Sequence, residues 1–81
     1  MDYRYDLLEW RREKTGDSYD AIADRSGLSK NTVWLIVGGK TNPTASSINM
    51  VFSAMGLNPK YALDPDLKPT QFRRAVVVTA R

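Results

Sequence analysis

Gly27 stands between two apolar patterns of helical period in the run from Ser18 to Ile36, SYDAIADRSGLSKNTVWLI. Before it, Ile22 and Ala23 share one face; after it, Val33 and Ile36 share another. Glycine adopts a left-handed backbone without steric cost, so Gly27 ends the first helix and lets the second leave at a sharp angle. Ser18 and Ser29 are placed to cap the two helices, each hydroxyl accepting a free N–H of the first turn. Ala23 falls where the helices approach most closely, and a larger side chain there would force them apart.

Two short helices joined in this way form a helix-turn-helix, whose second helix enters the DNA major groove. The run from about Ser18 to Leu63 also resembles the lambda-repressor-like (Cro/repressor, Xre-type) DNA-binding family. The matching residues are Ile22–Ala23, SGLSKNTV from Ser26, GGKTNPT from Gly38 and AMGLNP from Ala54. Two positions depart from the family pattern. Val37 stands where a Glu is common, and Tyr19 stands where a phosphate-touching Gln is common.

The rest of the chain reads as further helices. Tyr3, Leu7 and Trp10 repeat at helical spacing, so helix 1 is expected from Tyr3 to Lys14, with Arg11 and Arg12 on a solvated face. Helix 2 is expected from Ser18 or Tyr19 to Ser26, and helix 3 from Ser29 to Val37. Gly38–Gly39 then turns the chain and can bring backbone N–H groups near an anion. Thr44 is the expected cap of helix 4, with Ile48, Val51, Phe52 and Met55 buried and Gly56 as its stop. Asn58–Pro59, with Leu57, Tyr61 and Leu63, predicts a short helix 5. The expected fold is all-α, a compact five-helix bundle of the lambda-repressor-like type over residues 1–64.

Residues 65–81 are expected to be an extended C-terminal arm. DPDLKPTQ carries two prolines, and RRAVVVTA offers a β-branched run that favours a strand. A lone strand leaves its backbone groups unpaired, and pairing with a second subunit would satisfy them. Tyr61, Leu63, Phe72, Val76 and Val78 are therefore the expected dimerisation residues. Truncation after about Leu67 is expected to leave the bundle folded.

The chain has 81 residues, no histidine and no cysteine. Acid–base and metal chemistry usually recruit one or the other, so no enzymatic role, no metal and no cofactor are expected. Asp20 and Asp24 lie four apart on a helix without a catalytic partner, as surface acids do. No apolar run is long enough for a signal peptide or a membrane span, and a cytoplasmic location without membrane association is expected. The net charge is +3. Between Leu28 and Leu63 the charged residues are Lys30, Lys40 and Lys60, with no carboxylate among them. Repulsion of phosphates is thus lowest over helix 3 and the segments after it.

In helix-turn-helix geometry the exposed residues near the start of the second helix meet base edges. Here these are Ser29, Lys30, Asn31, Thr32, Trp34 and Leu35. Lys30 can donate to guanine O6 or N7, Asn31 can pair with adenine, and Trp34 can cover thymine methyls or sugars. Ser18, Tyr19, Lys40, Thr41, Asn42 and Ser47 are expected on phosphates, positioning the domain without reading sequence. The expected function is a sequence-specific transcriptional regulator, phage- or mobile-element-like and more repressor than activator, acting on double-stranded DNA as a homodimer. The alternative is an antitoxin-like interaction module whose C-terminal tail binds a protein partner.

Overall fold

A computed structural model describes residues 3–77. Four α-helices follow one another: α1 (Tyr5–Thr15), α2 (Tyr19–Ser26), α3 (Lys30–Val37) and α4 (Ala45–Ala54). Two 3₁₀ segments follow, Pro59–Tyr61 and Pro69–Ala75. Among the described residues the only β pairing is one antiparallel bridge between Leu57 and Val76. The protein is mostly helical and folds around a single core.

The starts of α2, α3, α4 and the first 3₁₀ segment are each fixed by a local side chain. The hydroxyl of Ser18 accepts from the Ala21 N–H, Ser29 from Thr32, and Thr44 from Ser47, each at 3.1 Å. Asn58 accepts from the Lys60 N–H at 3.0 Å and sets the first 3₁₀ turn, with Pro59 as its opening residue. That turn replaces the expected fifth α-helix. Asp64 precedes Pro65, and a residue before proline is pushed out of the helical region, so the coil cannot propagate.

Helix ends combine local closure with caps from distant residues. Gly27 is left-handed, with φ 77°, and its N–H returns to the Ala23 carbonyl. At the end of α4, Leu57 N–H donates to Phe52 O (2.9 Å) and Gly56 N–H to Ser53 O (3.1 Å), a paired closure that needs the positive φ of Gly56. Arg11 Nε and Arg25 Nε then take the Met55 and Ala54 carbonyls at 2.9 and 2.8 Å, satisfying acceptors that a helix leaves open. Arg11 and Arg12 are both half-buried, not on a solvated face as expected.

The core joins Leu7 and Leu8 of α1, Ile22 of α2, Val33, Ile36 and Val37 of α3, and Ile48, Val51 and Phe52 of α4. α1 begins at Tyr5, two residues later than its apolar pattern, because Arg4 is held elsewhere. The Arg4 backbone N–H donates to Ala62 O at 2.7 Å, and its guanidinium donates to Asp64 O at 2.6 Å and to both oxygens of Asp6. That bond from Arg4 holds the Asp6 carboxyl below its usual range, against a smaller desolvation effect.

The C-terminal segment departs most from expectation. Leu67, Phe72 and Ala75 are buried in the same core as the helices. Phe72 meets the Trp10 ring edge-on at 5.4 Å, and Arg4 lies 5.6 Å above it. Residues 67–77 are thus a structural part of the bundle and not an extended arm. The β-branched run enters the described structure only at Val76 and Val77, where Asn58 N–H donates to Ala75 O and Val77 N–H to Gly56 O. Tertiary burial of Phe72 and Ala75 outweighs strand propensity, which amounts to about 1 kcal/mol across its whole scale. Val78 lies outside the described residues.

Candidate nucleic-acid interface

α2 and α3 pack directly on each other, and α4 closes over both. The inner face of α3 is fully used: Val33, Ile36 and Val37 are buried. The departure at Val37 thus fills the core with an apolar side chain. What remains outside is the other face. Lys30 and Asn31 are exposed in its first turn, and Trp34, one turn on, is 42% exposed. Leu35 and Thr32 are half-buried at the margin. Ser29 is exposed, but its hydroxyl both caps α3 and donates to Thr32 Oγ1 at 2.8 Å. Ser29 therefore organises this turn, and its donor is already engaged.

The end of α3 positions a second group. Lys40 N–H donates to Leu35 O (2.9 Å) and Gly39 N–H to Ile36 O (3.1 Å), with Gly39 left-handed at φ 67°. Gly38 N–H goes to Trp34 O at 3.0 Å. These N–H groups close the helix, so the glycine pair does not offer them to an anion. The same closure folds Lys40 back over α3, with its ammonium 5.1 Å from the centre of the Trp34 ring. The expected base reader Trp34 and the expected phosphate contact Lys40 form one cationic, aromatic unit on the surface.

Of the other expected phosphate contacts, Thr41 and Asn42 are exposed in the loop after α3, and the Thr41 carbonyl accepts from the Tyr5 hydroxyl at 3.3 Å. Ser18 caps α2, and Ser47 accepts from the Thr44 hydroxyl at 3.0 Å. Tyr19 is half-buried against the core, with the Arg12 guanidinium 4.2 Å over its ring. Where a Gln is common in the resembling family, this chain thus sets a cation on an aromatic.

Three of these features escape sequence reasoning, the Lys40–Trp34 stack among them. The carboxylate-free stretch is not a carboxylate-free surface, because folding brings Asp20 of α2 to 3.4 Å from Lys30. Both groups are well exposed, so the pair is weak and Lys30 can exchange it for another anion. Nothing in the spacing of residues 20 and 30 signals the contact. The Arg12–Tyr19 stack is similarly non-local, linking α1 to α2.

The expected dimerisation residues do not form one surface of equal standing. Leu63 is 42% exposed, and Tyr61 is half-buried beneath the Lys60 ammonium. Val76 is half-buried, and Phe72 is inside the core and therefore removed from the set.

Among the described residues no group of three or more His, Cys, Asp or Glu side chains could hold a metal ion, and no helix is long and apolar enough to cross a membrane. Comparison with protein-family models, with curated proteins and with solved structures finds no match to this chain.

Proposed function

We propose that this chain is a sequence-specific, double-stranded DNA-binding transcriptional regulator of the lambda-repressor-like type, acting as a homodimer. One observation carries the reading. The outer face of a short, doubly capped helix presents Lys30, Asn31 and Trp34 to solvent while its inner face is locked into the core. A helix packed on α2 and α4 leaves donors and an aromatic surface facing outward, and a major groove is wide enough to admit one helix. Lys40, Thr41 and Asn42 flank it on the loop side, where contacts to phosphate would set the register. One such helix reads few bases, so useful specificity calls for two copies about one DNA turn apart. Leu63, with Tyr61 beside it, offers the contact between subunits.

The test is titration of duplexes drawn from a random pool, at several salt concentrations. The wild type should prefer a symmetric subset. Lys40→Ala should weaken all duplexes alike and shrink the slope of log affinity against log salt by about one unit. A loss confined to the preferred duplex would make Lys40 a base reader instead, and absence of salt-dependent binding to any duplex would end the proposal.

A further inference from the structure

We propose that the cleft between α1 and the second 3₁₀ segment binds a small amphipathic carboxylate, a single anionic head on a flat aromatic or acyl body. The cleft has a volume of about 510 Å³, and its lining includes Trp10, Arg11, Lys14, Thr70, Arg73 and Val76. No residue of α3 or of its following loop lines it, so it is separate from the candidate DNA interface.

Three cations share this cleft, and no carboxylate lines it. Lys14 and Arg73 make no side-chain hydrogen bond or ion pair among the described residues. Like charges set around one concavity repel one another, and a bound anion relieves that repulsion. Arg11 is oriented in advance: its Nε donates to Met55 O at 2.9 Å, and its Nη2 lies so near Gly56 that a Cβ there would approach it to 3.1 Å. Met55 and Gly56 do not line this cleft, so the cations left to meet a carboxylate in it are Lys14 and Arg73.

The apolar part of the ligand is argued from the walls. Trp10 packs edge-on against the buried Phe72, which fixes its ring, and Val76 adds aliphatic surface. The Trp10 indole N–H has no partner among the described residues, and neither has the Thr70 hydroxyl. An inorganic anion would leave the aromatic wall unused, whereas an amphipathic carboxylate uses both the wall and the charges.

The experiment uses the full chain, ¹⁵N-labelled, with the two indole N–H signals of Trp10 and Trp34 assigned through Trp34→Phe. Indole-3-acetate is the probe; acetate supplies the charge alone and tryptamine the aromatic body with the opposite charge. The Trp10 signal should shift saturably with half-saturation at about 1 mM or below, as fits a ligand of this size, while Trp34 stays in place. Acetate should bind at least about tenfold more weakly, and tryptamine should not saturate. The double variant Lys14→Ala/Arg73→Ala changes two exposed side chains and should keep its melting temperature while raising half-saturation at least about tenfold. Equal binding of tryptamine, an unchanged double variant or a shift without saturation would overturn the proposal. A short duplex that moves the Trp10 signal, with the effect lost in the double variant, would assign the cleft to nucleic acid and overturn it equally.

Discussion

The α2–α3 pair of residues 18–37 and the closing segment of residues 64–77 reach the same core by different routes. In the first, every boundary is set by a residue at that boundary: Ser18, Gly27, Ser29 and Gly39 each act on a backbone group at most four residues away. In the second, local caps are present as well, Asp64 accepting from the Asp66 N–H and Gln71 from the Lys68 N–H, but burial comes from distant partners. Phe72 is defined by Trp10 and Arg4, and Val76 by Leu57. Its place in the core depends on Trp10 and Arg4, which lie across most of the chain from it, and on the Leu57 turn. Locally encoded structure tolerates loss of distant partners, whereas contact-encoded structure does not.

The largest effect should come from breaking the closing segment. Phe72→Ala removes a buried aromatic and should cost about 3–5 kcal/mol in denaturant unfolding, as other buried Phe truncations do. Truncation after Leu67, expected from sequence to leave a folded monomer, removes Phe72 and Ala75 together and should leave no cooperative transition. A truncated chain that still unfolds cooperatively would return residues 68–77 to the status of an appendage.

Ala23→Leu tests the motif side of the comparison. Ala23 is half-buried and packs against the core between α2 and its neighbours. Overpacking should cost roughly 1–3 kcal/mol and weaken duplex binding with it, since the angle of α3 depends on α2. Native stability and native binding in the Leu variant would show that the two helices are not held apart by a small residue.

A smaller effect belongs to the link between the chain's two ends. Asp6 has its carboxyl held below the ordinary value of 3.8 by Arg4, so its contribution is complete above that value and is lost as pH falls through the lower folded value. The Asp6 side chain is 54% exposed, which limits the contribution to at most about 1 kcal/mol. Asp6→Asn should lower stability at neutral pH by up to that amount, converge with the wild type as pH falls below about 4, and so flatten the acid limb. An unaltered acid limb would mean that Arg4 is held by Asp64 and Phe72 without help from Asp6.

The same contrast explains what could be read before the structure. The ends of α2 and α3 and the caps of α4 and the first 3₁₀ turn were legible because capping chemistry acts on neighbours in sequence. The outward face of α3 was legible because helical period assigned Val33 and Ile36 to the core and left Trp34 outside. The burial of Phe72 was not legible, since an aromatic after a proline-rich stretch carries no periodic pattern and its partner is Trp10. The Lys30–Asp20 pair and the Lys40–Trp34 stack were hidden for a similar reason: one depends on the crossing of two helices, the other on a left-handed closure that folds the chain back.

The most direct test of the reading of α3 is the base preference of Asn31→Ala, measured by selection from a random duplex pool beside the wild type. Asn31 is exposed and makes no side-chain hydrogen bond among the described residues, so its loss should leave folding intact. The account predicts a cost of about 1–3 kcal/mol at the wild-type site, with the choice relaxed at one base position per half-site and unchanged elsewhere. An unaltered preference at every position, with wild-type affinity, would contradict the assignment of α3 as the helix that reads DNA.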